Sequence, residues 1–295
     1  MSDTLNYFLR LPKFKHLEAG TVKEACALLS KYKGNSKVVA GGTDLLVSMK
    51  RREICPSCLI NIKGIHGLSD IDYQRKTLRI GALATLNAVE SSSVVQETFP
   101  ILASACHQLG TPLIRNIGTI GGNLCNASPA SETAPSLIAL GAKVKMVGPK
   151  GERVIPLESF FAGPGETTLQ HHELLTEIRV PSPADRTKGV YLKLPARTAI
   201  DIAAVSVAVV ITVGARDHQI DDVKIVLGAV APTPVRARQA EKALKGKRLS
   251  EELIEKASQT ASGEATPISD IRASADYRKQ MVKVLTYRAI KQLVD

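Results

Sequence analysis

Tryptophan is absent, and aromatic residues make up only 4% of the 295 positions. A core must therefore be aliphatic, drawn from Val, Ile, Leu and Ala, and the apolar fraction of 44% can supply one. Few aromatics also means few platforms on which nucleic-acid bases stack. Cysteine is scarce and odd in number: Cys26, Cys55, Cys58, Cys106 and Cys125. Such scattered residues exclude a disulfide framework and point to a reducing compartment. A chain of this length buries about three quarters of its unfolded surface without staples. Long apolar runs are missing too. The longest, residues 202–213, is interrupted by Ser206 and Thr212 and falls short of the roughly 18 residues of a membrane span. The first fifteen residues hold no continuous apolar stretch of the signal-peptide kind. A soluble, cytoplasmic protein with no membrane span is expected. Acids are in the minority, 28 against 39 Lys and Arg, for a formal charge of +11. That excess suits an anionic cofactor or an acidic partner. The basic residues are dispersed, with no run longer than Lys50-Arg51-Arg52, which argues against nucleic acid as a partner.

The length suits two domains at about 100–200 residues each. Residues 21–33 read as an amphipathic helix capped by Thr21 and stopped by Gly34-Asn35. Residues 37–40 read as a strand running into Gly41-Gly42-Thr43-Asp44, with helix-like residues at 45–52. Strands are expected at 59–62 and 77–80, a helix at 100–109, and a hairpin of 143–147 with 153–156 around Gly148-Pro149-Lys150-Gly151. Pro112 and the glycines of 118–122 read as a break in the helical pattern, which resumes at 136–140. A strand at 174–180 leads to a boundary at Pro181-Ser182-Pro183. Beyond it, strands are expected at 203–213 and 222–230 and helices at 237–245 and 250–262. A last helix, from about Ala273, would place Tyr277, Met281, Val284, Leu285 and Arg288 on one face. The pattern is α+β. No G-x-G-x-x-G opens a helix, so the Rossmann fingerprint is absent.

Two constellations suit a phosphate-bearing ligand. In Val38-Val39-Ala40-Gly41-Gly42-Thr43-Asp44-Leu45, a strand feeds two glycines, which lets the backbone turn sharply and approach a bulky anion. Successive N–H groups in such a turn make a concave nest for oxygens. In Arg115-Asn116-Ile117-Gly118-Thr119-Ile120-Gly121-Gly122-Asn123, three glycines interleave with side-chain donors. Glu132 can accept hydrogen bonds from sugar or ribityl hydroxyls, with Ser128 and Ser131 nearby in sequence. Two such cradles suit a ligand with a diphosphate between two large ends, although either is also readable as a plain glycine turn.

Ala40-Gly41-Gly42-Thr43-Asp44-Leu45 together with Ile114-Arg115-Asn116-Ile117-Gly118-Thr119-Ile120-Gly121-Gly122-Asn123 resembles the signature of the FAD-binding medium subunits of molybdenum hydroxylases. That family includes the flavin subunits or domains of xanthine dehydrogenase, aerobic carbon monoxide dehydrogenase, nicotinate dehydrogenase and hydroxybenzoyl-CoA reductase. Further stretches match in order: Tyr191-Leu192-Lys193 with Arg197 and Asp201, Gly228-Ala229-Val230-Ala231-Pro232-Thr233-Pro234-Val235-Arg236, and Ser269-Asp270-Ile271-Arg272-Ala273-Ser274-Ala275-Asp276-Tyr277-Arg278. The resemblance implies an α+β fold: a vanillyl-oxidase-type (PCMH-type), two-lobed FAD-binding domain and a smaller C-terminal α/β domain of the carbon monoxide dehydrogenase flavoprotein type. The domains would be residues 1–180, with lobes of about 1–63 and 64–180, and residues 181–295. By the same resemblance Val39, Ala40, Gly41, Gly42, Thr43, Asp44 and Leu45 would wrap the FAD diphosphate from one side, and Gly118, Thr119, Ile120, Gly121, Gly122 and Asn123 from the other. Glu132, where the family usually has Asp, would reach the ribose or ribityl part. Leu175 would bring its backbone to the flavin ring, and Lys193 would lie beside the isoalloxazine, with Tyr191 and Asp201 as further candidates near it. A cation there would favour the anionic reduced flavin and raise its potential. The chain would carry no substrate-oxidising residues. A large subunit would hold molybdenum–pterin and a small one two [2Fe–2S] clusters, in a heterotrimer that passes electrons through FAD to an external acceptor.

No metal site is expected in this chain. Cys55-Pro56-Ser57-Cys58 precedes a strand rather than following one, and no second C-x-x-C completes a ligand set. The stretch between Ala88 and Gly118 holds Cys106 as its sole cysteine, so the iron–sulfur insertion of the hydroxybenzoyl-CoA reductase type is not expected. His171-His172 reads as a solvated turn. Two other readings stay open: a self-sufficient vanillyl-oxidase-type flavin oxidase, and a flavin-free scaffold or nucleic-acid-binding subunit.

Overall fold

The computed structural model describes residues 10–196, 201–214 and 219–294. Four sheets organise it. The first is parallel, in the order β1 (Lys15–Glu18), β3 (Cys58–Asn61), β2 (Ser36–Val39). The helix Val22–Tyr32 links β1 to β2 and buries Ala25, Cys26 and Leu29. Its start is set by Thr21, whose hydroxyl accepts from the Glu24 N–H, and its end by Lys33 in the left-handed region, followed by Gly34, the residue that turns there at least cost.

The second sheet is antiparallel. Its strands are β4 (Ile71–Gln74), β5 (Thr77–Gly81), β6 (Lys143–Gly148), β7 (Gly151–Pro156) and β10 (Leu174–Pro181), in the order β4-β5-β10-β6-β7. The expected hairpin is β6 with β7, closed at Gly148 opposite Gly151. Between them and β10 lies a small ribbon of β8 (Phe161–Gly163) and β9 (Glu166–Thr167). The third sheet, also antiparallel, runs β11 (Thr187–Pro195), β12 (Ala203–Val213), β13 (Ile220–Gly228), β14 (Val235–Arg236).

Side chains alternate across a strand, yet nearly every residue of β12 is buried. The reason is that both faces of this sheet are covered. Val205, Val207, Val209 and Ile211 pack with the helices Arg238–Leu244, Glu251–Glu264 and Ala275–Val294. Ala208 and Val210, with Tyr191 and Val226, join the core of the preceding domain, where the helices Pro100–His107 and Thr133–Ala139 lie. One continuous core thus crosses the Pro181-Ser182-Pro183 segment.

One expectation needs correction. The segment read as a break is helical: Pro112–Ile117 and Ile120–Asn126 are short helices on either side of Gly118. Pro112 occupies the first helical position, where a missing N–H costs nothing, and Thr111 and Thr119 cap the two starts. The last helix carries Tyr277, Met281, Val284, Leu285 and Arg288 along one side, as expected, and it buries Arg278, Val282, Leu285, Thr286, Ala289, Ile290 and Leu293, so of those five only Leu285 is buried. Arg278 lies on the inward stripe, where its two terminal nitrogens donate to Asp270 and to the carbonyls of Ala204 and Ala229.

Candidate functional site

A cavity of about 850 Å³ opens between the first sheet, the second sheet and the loop before β12. It falls in the range of roughly 300–1,000 Å³ usual for ligand and cofactor sites. Of the expected site residues, Ala40, Gly41, Gly42, Thr43, Asp44, Leu45, Gly118, Thr119, Gly121, Gly122, Asn123, Glu132 and Leu175 line it. Val39 and Ile120 instead anchor the lining from behind, buried in two different hydrophobic clusters. Asp201 lines the cavity, whereas Arg197 lies outside the described residues.

The two glycine segments meet each other. A Cβ on Gly41 would lie 2.4 Å from the Ile117 carbonyl oxygen and 2.9 Å from Gly118 Cα. Gly42, at φ +76°, turns the chain out of β2 into the helix Leu45–Lys50. The second segment is fastened to residues 82–86 by backbone bonds: Ile120 N–H to Ala84 O, Gly121 N–H to Ala82 O and Leu86 N–H to Gly118 O. A Cβ on Gly121 would lie 2.5 Å from Ala82 O. Gly122 is different, since a Cβ there would meet only Thr119 Oγ1, at 2.8 Å.

Asn123 Oδ1 accepts from Ser131 Oγ at 2.7 Å and from Thr133 Oγ1 at 2.5 Å. With that oxygen occupied, its amide N–H groups are the donors left for a ligand. Glu132 follows as the residue before the helix Thr133–Ala139. Burial pushes its carboxyl above the usual range, and the ammonium of Lys193 pulls the other way. Burial likewise raises Asp44, against a weak hydrogen bond from Thr43. Leu83, Leu86, Leu109 and Ile114 supply apolar wall. An apolar surface, amide and hydroxyl donors, and a helix turn at Gly122 with no side chain of its own together fit a ligand with aromatic ends and a charged middle.

Lys193 stands behind the wall. Its Nζ donates to Glu132 Oε1 at 3.0 Å and to the Gln108 carbonyl at 2.9 Å, and its side chain is 2% exposed. Tyr191, on the same face of β11, is buried beside Ser206, with neither hydroxyl in a well-formed hydrogen bond. The resemblance alone did not reveal that Glu132 intervenes between Lys193 and the cavity.

Cys55 is exposed and Cys58 is buried in the core between the first sheet and the helix Val22–Tyr32. Among the described residues no group of three or more His, Cys, Asp or Glu is placed to hold a metal. His171, read as part of a solvated turn, lines the cavity, as do Cys125 and Gln170. The Cys125 thiol is pushed up to about 12 by burial, so it is not a nucleophile at neutral pH. No local signal marks these residues; strand β10 and the helix Ile120–Asn126 bring them in.

Residues 12–183 match the family described as "FAD binding domain in molybdopterin dehydrogenase", and residues 190–293 the "CO dehydrogenase flavoprotein C-terminal domain". The chain is 34% identical to the glyceraldehyde dehydrogenase medium chain of Sulfolobus acidocaldarius, over 96% of this chain and 99% of that one. It is 35% identical to the carbon monoxide dehydrogenase medium chain of Hydrogenophaga pseudoflava, over 95% and 96% of the two. Among solved structures, carbon monoxide dehydrogenase from H. pseudoflava superposes with a TM-score of 0.93 at 36% identity, covering 96% of this chain and 97% of that one. Quinoline 2-oxidoreductase from Pseudomonas putida superposes at 0.89 with 27% identity, covering 96% and 98%. The α+β architecture expected from the motifs is the one these similarities describe.

Proposed function

The chain belongs to the FAD-binding medium subunits of the molybdenum hydroxylase family, and from that premise we propose that it carries electrons between [2Fe–2S] clusters of a small partner subunit and an external acceptor. A large partner subunit would hold the molybdenum–pterin site, and the assembly would work in the cytoplasm. Among the described residues no helix is long and apolar enough to cross a membrane. FAD, when bound, supplies chemistry that accepts electrons singly or in pairs and so couples one-electron clusters to a two-electron acceptor.

The protein's part is to bind, orient and tune. Gly42 to Leu45 and Gly122-Asn123 offer backbone and amide donors to the diphosphate. Ser131 and Glu132 take sugar or ribityl hydroxyls, Leu175 gives backbone to the ring system, and the Lys193–Glu132 pair sets the charge beside it. The observation that carries this reading is that two glycine segments far apart in sequence meet in the wall of one cavity of about 850 Å³. Purified chain should show flavin absorbance at one FAD per polypeptide, and native purification should bring down two further subunits with molybdenum and iron. A well-folded chain that stays colourless after incubation with excess FAD overturns the reading.

A further inference from the structure

Glu132 and Lys193 lie 61 residues apart and come from different domains, one from the residue before the helix Thr133–Ala139, the other from β11. Their side chains are 11% and 2% exposed, and only Glu132 lines the cavity. The ammonium has three donors, of which two are directed at Glu132 Oε1 and the Gln108 carbonyl. A ligand in the cavity therefore meets the carboxylate first, with the cation directly behind it.

We propose that Glu132 is a positioning residue: it fixes Lys193 in the cavity wall and makes the two act on bound flavin as one nearly neutral unit. The inference rests on the flavin reading above and deepens it. The neighbours support the assignment of charge. Tyr191 and Cys106 face the pair from β11 and from the helix Pro100–His107, and burial keeps both protonated. Asp44, which lines the same cavity, also acts on Glu132 and raises its carboxyl. Removing the ammonium would leave Glu132 without its counter-ion on the cavity side of the wall; removing the Glu132 charge would leave a buried ammonium without its anion. Interactions at this range in a partly dry site are far stronger than in water. The two single changes must therefore move the flavin potential in opposite directions, and the double change must nearly cancel.

The test uses the full chain loaded with FAD, reading the midpoint potential by spectroelectrochemistry and FAD affinity by fluorescence. Glu132→Gln should raise the potential and Lys193→Met should lower it, each by at least about tenfold in the oxidised-to-reduced equilibrium, about 30 mV for a two-electron couple. The double variant should return close to the parent value, the interaction term of a double-mutant cycle. If Glu132→Gln leaves the potential unmoved while Lys193→Met lowers it, the lysine acts alone and the proposal fails. Should Glu132→Gln lose flavin, the double variant decides. Regained flavin shows that the unpaired ammonium was the fault and supports the pair; continued loss means Glu132 serves otherwise, and the idea is overturned. A parent chain that never binds FAD fails the functional reading instead.

Discussion

Gly41-Gly42 follows β2, and Gly121-Gly122 falls in the first turn of the helix Ile120–Asn126. Within each pair the first glycine is pressed against backbone, Gly41 on the Ile117 carbonyl and Gly121 on the Ala82 carbonyl. The second is not. A Cβ at Gly42 would first touch the Leu46 and Val39 side chains, at 3.4 Å, and one at Gly122 the Thr119 hydroxyl. All four line the cavity, so position alone does not separate them. What does is the direction in which a side chain would leave the backbone: toward the fold in the first member, toward movable side chains in the second. The pairs also differ from each other, since Gly42 needs a positive φ and Gly122 sits in a helix.

Gly121→Val should have the largest effect. The Ala82 oxygen at 2.5 Å and Cβ at 2.7 Å cannot yield without breaking the Gly121 N–H to Ala82 O bond and disturbing Ile120 and Leu124, both fully buried. Overpacking against a rigid neighbour belongs with the severe class of substitutions, about 4 kcal/mol or more. Denaturant melting or soluble yield measures it, and near-parental stability would break the division within the pair.

Gly42→Ala should cost less. The left-handed backbone penalises an L side chain by roughly 1–2 kcal/mol, while the neighbouring Leu46 and Val39 atoms can adjust. Relaxing the strain turns the Thr43-Asp44 backbone that follows, so FAD affinity should fall along with stability, checked by titrating flavin into stripped protein. A variant that loses stability and keeps affinity would separate this loop from the ligand.

The same long-range contacts explain what could be read beforehand. The strand–glycine–helix at residues 36–50, the first helix and the β6–β7 hairpin follow local rules, because Thr21, Gly34 and the Gly148–Gly151 turn act on their own neighbours. The helices around Gly118 did not, since glycines ordinarily interrupt a helix and are tolerated here because Ala82 and Ala84 hold their backbone from the turn after β5. The burial of Arg278 in the last helix was hidden as well, because its ion pair with Asp270 is something no periodicity records. The motif points to Lys193, but its partner Gln108 contributes a carbonyl, which any residue would provide.

Gly122→Ala should have the smallest effect on stability and isolates the ligand. A methyl group there meets the Thr119 hydroxyl at 2.8 Å, so that side chain must rotate and release its cap on the Gly122 N–H, a loss of about 0.5–2 kcal/mol. Alanine returns roughly 1 kcal/mol over glycine in a helix, and the two nearly offset. The methyl then stands in the cavity wall where a diphosphate would approach the backbone, and about a tenfold or greater loss of FAD affinity, 1.4 kcal/mol, is expected. Equal melting with weaker flavin binding places the cradle at this residue. Unchanged affinity would mean that the ligand's charged middle lies elsewhere in the cavity, and that Gly122 is merely a second helix glycine beside Gly121.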